Sequence, residues 1–285
     1  MNLENLEERL NEFKLKEIGT SEIKKYGWIN PIGLHDSELL SHSGDGRTMF
    51  AAAKVEKIIP PETIRTELNK KIRAIEIETN APVKGKAKQA LKEDLVLELA
   101  GQAFTKKTIV RGYISHSNNL VVIDSTTSGA AEDFLALLRK TLGSLPVTRL
   151  TSESDISNLL TNWVVDDPAP GFTLEGSALF EGLEGAKAKF DKEDLKTDQV
   201  IAHLTEGTYF VSNLAVKYGD VATIEINQQL DIKKLKFTDV IQERLLDIKD
   251  EEEQAARADG EFCLMAGELD LLILALIAAF NVTDE

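Results

Sequence analysis

The segment that determines the predicted fold is Leu120–Val147, LVVIDSTTSGAAEDFLALLRKTLGSLPV. Its apolar start, followed by Asp124 and the polar run STTS, predicts a buried strand that ends at the carboxylate. A helix is then predicted from Ser128, because its hydroxyl can accept a hydrogen bond from a free N–H group of the first turn. Gly143 ends this helix, and the closing LPV is predicted to return the chain to the sheet. The residues that give the helix one apolar face are Ala131, Phe134, Leu135, Leu138 and Leu142.

The chain before this segment is predicted to contain a helical hairpin between two strands. Pro61 suits the first turn of a helix that ends near Ile77, and a second helix is predicted over about 86–100. Strands are predicted on either side, at 49–59 and 108–115. The two helices therefore form an αα-hairpin that projects from the sheet.

The C-terminal half is predicted to be a sheet of short, largely antiparallel strands. The predicted strands are 172–179, 186–190, 209–218, 222–228 and 233–237. Ser152 is the candidate cap of a helix that ends at Trp163. A strongly apolar helix is predicted to close the chain over 268–280. This helix is a candidate for one isologous interface, and burial inside its own subunit is the alternative.

The predicted fold class is α/β (α+β), with antiparallel or mixed sheets, packed helices and a projecting helical finger. The run DDPAPG after Val165 is the best domain boundary, because prolines and a glycine interrupt both helices and strands. Residues 1–63 and 108–165 are predicted to form a central α/β domain. A helical finger domain is predicted over 64–107, and a base α/β domain with the closing helix over 166–285.

Charge is distributed unevenly along this acidic chain. The net charge of -15 argues against a simple, uniformly basic nucleic-acid binder. Residues 51–150 contain 16 Lys and Arg and 11 Asp and Glu, whereas residues 151–285 contain 11 and 28. Charges separated by more than about 8–10 Å are largely screened from one another. An acidic chain can therefore present a locally positive surface.

The sequence also indicates a compartment. The single cysteine, Cys263, cannot form an internal disulfide, which is typical of a reducing cytoplasm. The acidic start, MNLENLEERLNEF, lacks the apolar region of a signal peptide. The longest apolar stretch, 271–280, is only 10 residues long, and crossing a bilayer requires roughly 20. We therefore expect a cytoplasmic protein without a membrane span.

Signatures of the common enzyme classes are missing from the sequence. The chain has no GxxxxGK[ST], GxGxxG, HExxH, GxSxG or CxxC motif. The nearest approach to a metal-ligand cluster is His35, Asp36, Glu38 and His42. On a helix the two histidines would lie two turns apart, too far to share an ion, so these residues are interpreted as solvated. We therefore predict no catalytic residue, no metal and no cofactor.

Positive side chains concentrate around the second helix of the finger and the strand after it. They are Lys84, Lys86, Lys88, Lys92, Lys106, Lys107 and Arg111. Lys and Arg contacts to phosphates, with the counterions they release, can supply nearly all of nonspecific DNA affinity. These seven residues are therefore DNA-binding candidates, and a solvated helix face is the alternative interpretation. Phe104 lies between the helix and the strand. Exposing an aromatic side chain to water at this position would be costly, which indicates that another part of the protein or a partner covers it.

Several motifs along the chain resemble those of the recombination-associated RdgC family of bacterial DNA-binding proteins. In chain order they are GWxxPxG, KIIPP, AEDFLALLRKTLGSLPV, GFTLEG, KKLKF and FCLMAGEL. The first motif, in 26–33, is predicted to be a turn-rich segment with Trp28 at the core edge. The resemblance extends from about Trp28 to Phe280, which is nearly the whole chain.

The resemblance implies a horseshoe-shaped subunit that pairs head to head into a ring dimer around double-stranded DNA. It implies sequence-independent binding in a positively lined hole, association with the nucleoid, antagonism of RecA-driven strand exchange and no membrane partner. It also implies a gate in which Phe104 lies at the finger tip near Gln102. Lys192 and Glu193 match the stretch that faces the partner's fingertip. The alternative function is a protein–protein adaptor whose basic finger binds an acidic partner.

Overall fold

The computed structural model describes residues 5–33, 38–125, 127–249 and 253–283, and its fold is mixed α/β. The described helices are α1 (Leu6–Glu12), α2 (Pro61–Thr79), α3 (Gly85–Ala100), α4 (Ser128–Leu142), α5 (Ile156–Val165), α6 (Asp198–Thr205), α7 (Asp239–Lys249) and α8 (Gln254–Ala279). The described strands are β1 (Lys24–Ile29), β2 (Ser41–Gly44), β3 (Arg47–Lys57), β4 (Thr105–Ser115), β5 (Leu120–Asp124), β6 (Thr151–Ser152), β7 (Phe172–Gly182), β8 (Lys187–Phe190), β9 (Tyr209–Tyr218), β10 (Ala222–Asn227), β11 (Ile232–Phe237) and β12 (Val282–Thr283). They form two antiparallel five-stranded sheets and one short two-stranded pair, which confirms the predicted α/β class.

The chain divides into two compact units, and each unit is assembled from non-contiguous segments. Unit 1 consists of Met1–Ser43, Thr48–Ile114 and Leu120–Leu145. Unit 2 consists of Gly44–Arg47, Ser115–Asn119 and Pro146–Glu285. Unit 2 thus includes the turn between β2 and β3 and the turn between β4 and β5. The three domains predicted from the sequence, with a boundary after Val165, stay a prediction.

The core of unit 1 surrounds Trp28, which is fully buried. The indole ring packs against Phe50 and Phe134, with ring centroids 5.8 and 5.3 Å away. Its Nε1 donates a hydrogen bond to Oγ1 of Thr141 at 2.8 Å, so the buried polar atom has a partner. Trp28 is therefore a core residue.

The prediction of a turn-rich segment around Trp28 is wrong, because residues Lys24–Ile29 form strand β1. This strand pairs antiparallel with β3, and Trp28 lies opposite Ala52. At Gly27 a Cβ atom would lie 2.6 Å from the carbonyl oxygen of Phe13. The glycine therefore allows the strand to approach another stretch of backbone closely. Only Gly33, after the strand, has the left-handed backbone (φ +73°) typical of a turn.

The helices of the predicted finger, α2 and α3, are confirmed. Pro61 is the first residue of α2, and Asn80, with φ 51°, follows its last turn. Leu68 of α2 and Leu95 of α3 are buried. In the order of the sheet, β1-β3-β4-β5, the strands on either side of the hairpin are neighbours. The chain therefore leaves the sheet after β3, forms the helical hairpin and returns to the sheet at the neighbouring strand β4.

The core of unit 2 lies between its five-stranded sheet and three helices. The strand order is β11-β10-β9-β7-β8, and the strands pair antiparallel. Leu214 and Val216 of the central strand β9 are fully buried. They belong to one apolar cluster with Trp163 of α5, Val200 of α6 and Leu272 of α8. All five strands predicted for this half are confirmed.

The prediction that Ser152 caps a helix is wrong. It lies in β6, and its hydroxyl donates a hydrogen bond to the carbonyl oxygen of Phe280 at 2.6 Å. Helix α5 is capped instead by Asp155, whose carboxylate accepts from the N–H of Asn158 at 3.2 Å. The contact to Phe280 joins residues 128 positions apart. A local pattern cannot show it.

Two predictions around α4 also need correction. The cap of this helix is Thr127, whose side chain accepts a hydrogen bond from the N–H of Ala130, and not Ser128. The LPV after the helix is not a strand, because residues 144–150 have no regular structure and β6 begins at Thr151. The apolar face of α4 is as predicted, with Phe134 and Leu138 fully buried.

The closing helix is longer than predicted, because α8 begins at Gln254. Leu272 and Leu276 lie in the core of unit 2, whereas Leu271 and Leu274 are 55% and 40% exposed. Among the described residues, α8 is long and apolar enough, by length and composition alone, to cross a membrane. The expected absence of a membrane span stays a prediction. The burial of Leu272 and Leu276 in unit 2 is also typical of a helix that packs in a protein core. The predicted isologous interface stays a prediction.

Candidate nucleic-acid interface

Four of the predicted DNA-binding residues lie at the start of α3. Lys84 precedes the helix, and Lys86, Lys88 and Lys92 follow in its first half. All four are exposed, and the described residues provide no carboxylate within ion-pair distance of them. Their charges are therefore available to an anion from solution.

The other three predicted DNA-binding residues lie on strand β4. Lys106, Lys107 and Arg111 are exposed and have no ion-pair partner in the part of the chain that the structure describes. Nε of Arg111 donates a hydrogen bond to the carbonyl oxygen of Pro31 at 3.3 Å, which fixes its side chain. The second half of α3, residues 93–100, lies between the two groups, and its length corresponds to about 12 Å. The structure thus places the seven cations in two groups.

Phe104 has one of the most exposed apolar side chains of the structure, with 87% of its surface accessible. It lies between α3 and β4, and its carbonyl oxygen accepts a hydrogen bond from the N–H of Ile58 at 2.8 Å. The turn between α2 and α3 lies at the other end of α3. Phe104 therefore lies where the hairpin rejoins the sheet, which corrects its expected position at the finger tip. Gln102 is exposed beside it.

Lys192 and Glu193 form a turn directly after β8, in unit 2. Lys192 has a left-handed backbone (φ 58°), and both side chains are exposed. The N–H of Glu193 donates to the carbonyl oxygen of Gly176 at 2.9 Å. A Cβ atom at Gly176 would lie 2.8 Å from the carbonyl oxygen of Glu193. The glycine of the GFTLEG motif therefore permits this close contact.

A groove of about 490 Å³ lies beside this turn. Its apolar lining includes Pro168, Pro170 and Leu174, and its polar lining includes Glu193 and Lys196. Nζ of Lys196 donates a hydrogen bond to the carbonyl oxygen of Asp166. The groove thus combines apolar and charged lining residues.

The sequence did not indicate the buried polar cluster around Asp270 of α8. This carboxylate is 2% exposed and accepts hydrogen bonds from Nε of Arg47 at 2.8 Å and from Oγ of Ser115 at 2.7 Å. Asn118 donates to the same oxygen at 3.0 Å. Burial disfavours the charge of Arg47, but its hydrogen bonds to Asp270 and Asp45 raise the pKa of the guanidinium above its usual value. The cluster is fully hydrogen-bonded and has a structural role.

The predicted absence of a metal cluster concerns residues that the structure describes only in part. His35 and Asp36 lie outside the described residues, and Glu38 is exposed. Within 5–33, 38–125, 127–249 and 253–283, no group of three or more His, Cys, Asp or Glu side chains is arranged to hold a metal ion.

The chain is similar to known proteins over its whole length. The model of the family described as "Putative exonuclease, RdgC" matches residues 1–283. A recombination-associated protein RdgC of Pseudoalteromonas atlantica is 35% identical over 285 residues, which are 99% of this chain and 93% of the relative. The protein of the same name from Colwellia psychrerythraea is 36% identical, with 98% and 91% covered. That of Haemophilus influenzae is 37% identical, with 98% and 92% covered.

Proposed function

Since the chain belongs to the RdgC family of recombination-associated proteins, we propose that it is a non-enzymatic, sequence-independent binder of double-stranded DNA. The observation that carries this proposal is the set of seven exposed cations of α3 and β4, none paired with a carboxylate of the described residues. Unpaired Lys and Arg side chains can neutralise phosphates without first breaking an internal ion pair. The protein would act in the cytoplasm, on the nucleoid.

The proposal includes a ring dimer of horseshoe-shaped subunits that encircles the duplex and limits RecA-mediated recombination. Phe104 supports this part, because an aromatic side chain that is 87% exposed offers a large apolar surface that a partner can bury. The groove beside Glu193 offers apolar lining at Pro168 and Leu174. We place Phe104 of one subunit against this groove of the other. Gln102 and Lys192 then flank the contact.

A double charge reversal tests the DNA contacts. Lys106→Glu with Lys107→Glu should weaken binding to all duplex sequences alike. The magnitude of the slope of log K against log salt concentration should fall by about 1.8, since each phosphate contact contributes about 0.9. Fluorescence anisotropy with two unrelated duplexes at several salt concentrations measures both effects. The matched control is Lys16→Glu with Lys24→Glu, two exposed lysines of unit 1 outside the finger.

Three outcomes of this experiment would contradict the proposal. Unchanged affinity of the Lys106 and Lys107 variant at low salt would remove these residues from the interface. Failure of the unmodified protein to bind any duplex would favour the protein–protein adaptor. Cleavage of the duplex after Mg²⁺ is added would favour the exonuclease activity in the family description.

A further inference from the structure

The unit 2 sheet has a side that points away from its core, and we call this side the outer face. Side chains alternate between the two sides of a strand. Leu214 and Val216 of β9 point into the core, so Asn213 and Lys217 point outward. Residues that pair with outward-pointing residues point the same way. The register therefore assigns the outer face across all five strands.

Six lysines lie on this outer face. Thr223 pairs with both Lys217 and Lys236, so these three residues share one side. Leu179 pairs with Asn213 and with Lys189, which brings the edge strand β8 to the same side. Lys187 pairs with Glu181, and Lys233 pairs with Glu225. Lys234 donates a hydrogen bond to Glu225. Both glutamates point outward, so these three lysines lie on the outer face as well.

The charge of this face is opposite to that of its surroundings. Residues 151–285 contain 11 Lys and Arg and 28 Asp and Glu. More than half of those cations are the six lysines, whereas the paired outward positions include two carboxylates, Glu181 and Glu225. A positive face in the most acidic part of the chain is not expected from a random distribution of surface charge. It indicates an anionic ligand.

Half of the six lysines are held by ion pairs at the sheet. Lys187 contacts Glu181 at 2.8 Å, Lys217 contacts Asp220 at 3.3 Å, and Lys234 contacts Glu225 at 2.6 Å. Lys189, Lys233 and Lys236 are exposed and have no ion-pair partner among the described residues. These three lysines are therefore available to a ligand. Two of them belong to the KKLKF motif, for which the sequence alone suggested no role.

The chemistry of the outer face favours the backbone of duplex DNA over other anionic ligands. Beside the lysines, its outward positions hold short side chains such as Thr173, Asn213 and Thr223, and one aromatic residue, Phe210, which pairs with Glu181. Hot spots of protein–protein interfaces are enriched in Trp, Tyr and Arg. Recognition of single strands uses aromatic side chains on which bases stack. An array of lysines with a single Phe, and with no Trp, Tyr or Arg at the paired outward positions, suits phosphates of a duplex.

The size of the face is also appropriate. Five strands at a spacing of about 4.8 Å give a width of about 19 Å. Duplex DNA has about one phosphate per 1.7 Å of its axis, or roughly 11 over this width. The unpaired lysines are on the two edge strands, β8 and β11, so they can contact phosphates that are well separated along the duplex.

We propose that the outer face of the unit 2 sheet is a second DNA-backbone contact surface, with Lys189, Lys233 and Lys236 as its phosphate ligands. This inference rests on the proposed DNA binding and adds a surface that lies outside the finger. Contacts of this kind carry no sequence information, in agreement with a sequence-independent binder.

The test is the triple variant Lys189→Gln, Lys233→Gln and Lys236→Gln of the full chain. Its matched control is Asn158→Asp, Asn162→Asp and Gln199→Glu, which changes the net charge by the same amount at exposed positions of α5 and α6. Both variants should retain the melting temperature of the unmodified protein. The lysine variant alone should lower the dependence of log K for duplex DNA on log salt by about 2 to 3, since each lost phosphate contact contributes about 0.9.

The outcomes separate this inference from the proposed function. If the unmodified protein binds duplex DNA with a strong salt dependence and the lysine variant binds as the control does, the outer face is not a DNA surface and the finger can still be one. If the unmodified protein does not bind duplex DNA at all, both proposals fail. If the lysine variant loses retention on immobilised polyglutamate as much as on duplex DNA, the face is a general polyanion site and the assignment to DNA is wrong.

Discussion

At the scale of single residues, Asp270 is a buried carboxylate whose loss should destabilise the fold. Its partner Arg47 is 11% exposed and keeps an ion pair with the exposed Asp45. Removal of one member of a buried pair costs about 3–5 kcal/mol when the other charge is left without a partner, so the lower end, about 3 kcal/mol, applies here. We expect Asp270→Ala to lower the free energy of unfolding by that amount in a urea titration. The control is Glu268→Ala on the same helix, whose partner Arg244 is 53% exposed and whose loss costs at most about 1 kcal/mol. If the two variants lose the same free energy of unfolding, Asp270 is not the centre of the cluster.

The sequence predicts the burial of single residues better than their hydrogen-bond partners. The sequence predicts Trp28 at the core edge, and the side chain is fully buried. Ser152 and Ser128 were expected to cap helices, because serine favours this position, yet Asp155 and Thr127 are the caps. Burial follows from a property of the side chain itself. A hydrogen bond depends on which competing acceptor the tertiary fold places nearest.

At the scale of elements, the contact between β7 and the turn after β8 can be tested at Gly176. Gly176→Ala would place a Cβ atom 2.8 to 3.0 Å from backbone atoms of Lys192 and Glu193. Overpacking of this kind typically costs about 1–3 kcal/mol, so we expect a lower melting temperature and a displaced turn. Gly129→Ala in α4 is the control, because a Cβ atom there meets no atom within 4 Å. A Gly176 variant as stable as this control would show that the turn moves freely.

The strands could be predicted from the sequence, but the face on which their side chains lie could not. Alternation indicated β8 and β11 as separate strands, and the KKLKF motif was identified without a role. The register assigns Lys189 and Lys236 to one face only through the intervening strands β7, β9 and β10. This order depends on contacts between distant parts of the chain. The candidate site on the finger was easier to predict, because most of its lysines are neighbours in the sequence.

At the scale of the whole molecule, the proposed ring requires two copies of the chain. We expect a mass of about twice 31.5 kDa in multi-angle light scattering at micromolar concentration. Leu271→Glu should reduce this mass toward that of a monomer if the exposed side of α8 forms one interface, because burial of an unpaired carboxylate is costly. Leu246→Glu on α7 is the control, with a leucine that is 58% exposed. If the unmodified protein has the mass of a monomer, the proposed ring is wrong.

The division into two non-contiguous units limits how the protein can be dissected. The polypeptide passes from one unit to the other five times, and the turns that contain Arg47 and Ser115 belong to unit 2. A fragment that ends at Leu145 would retain these turns without the helix that supplies Asp270. We therefore expect neither half to fold as an independent fragment. A chimaera that takes one half from a relative would have to take the two turns from the same relative.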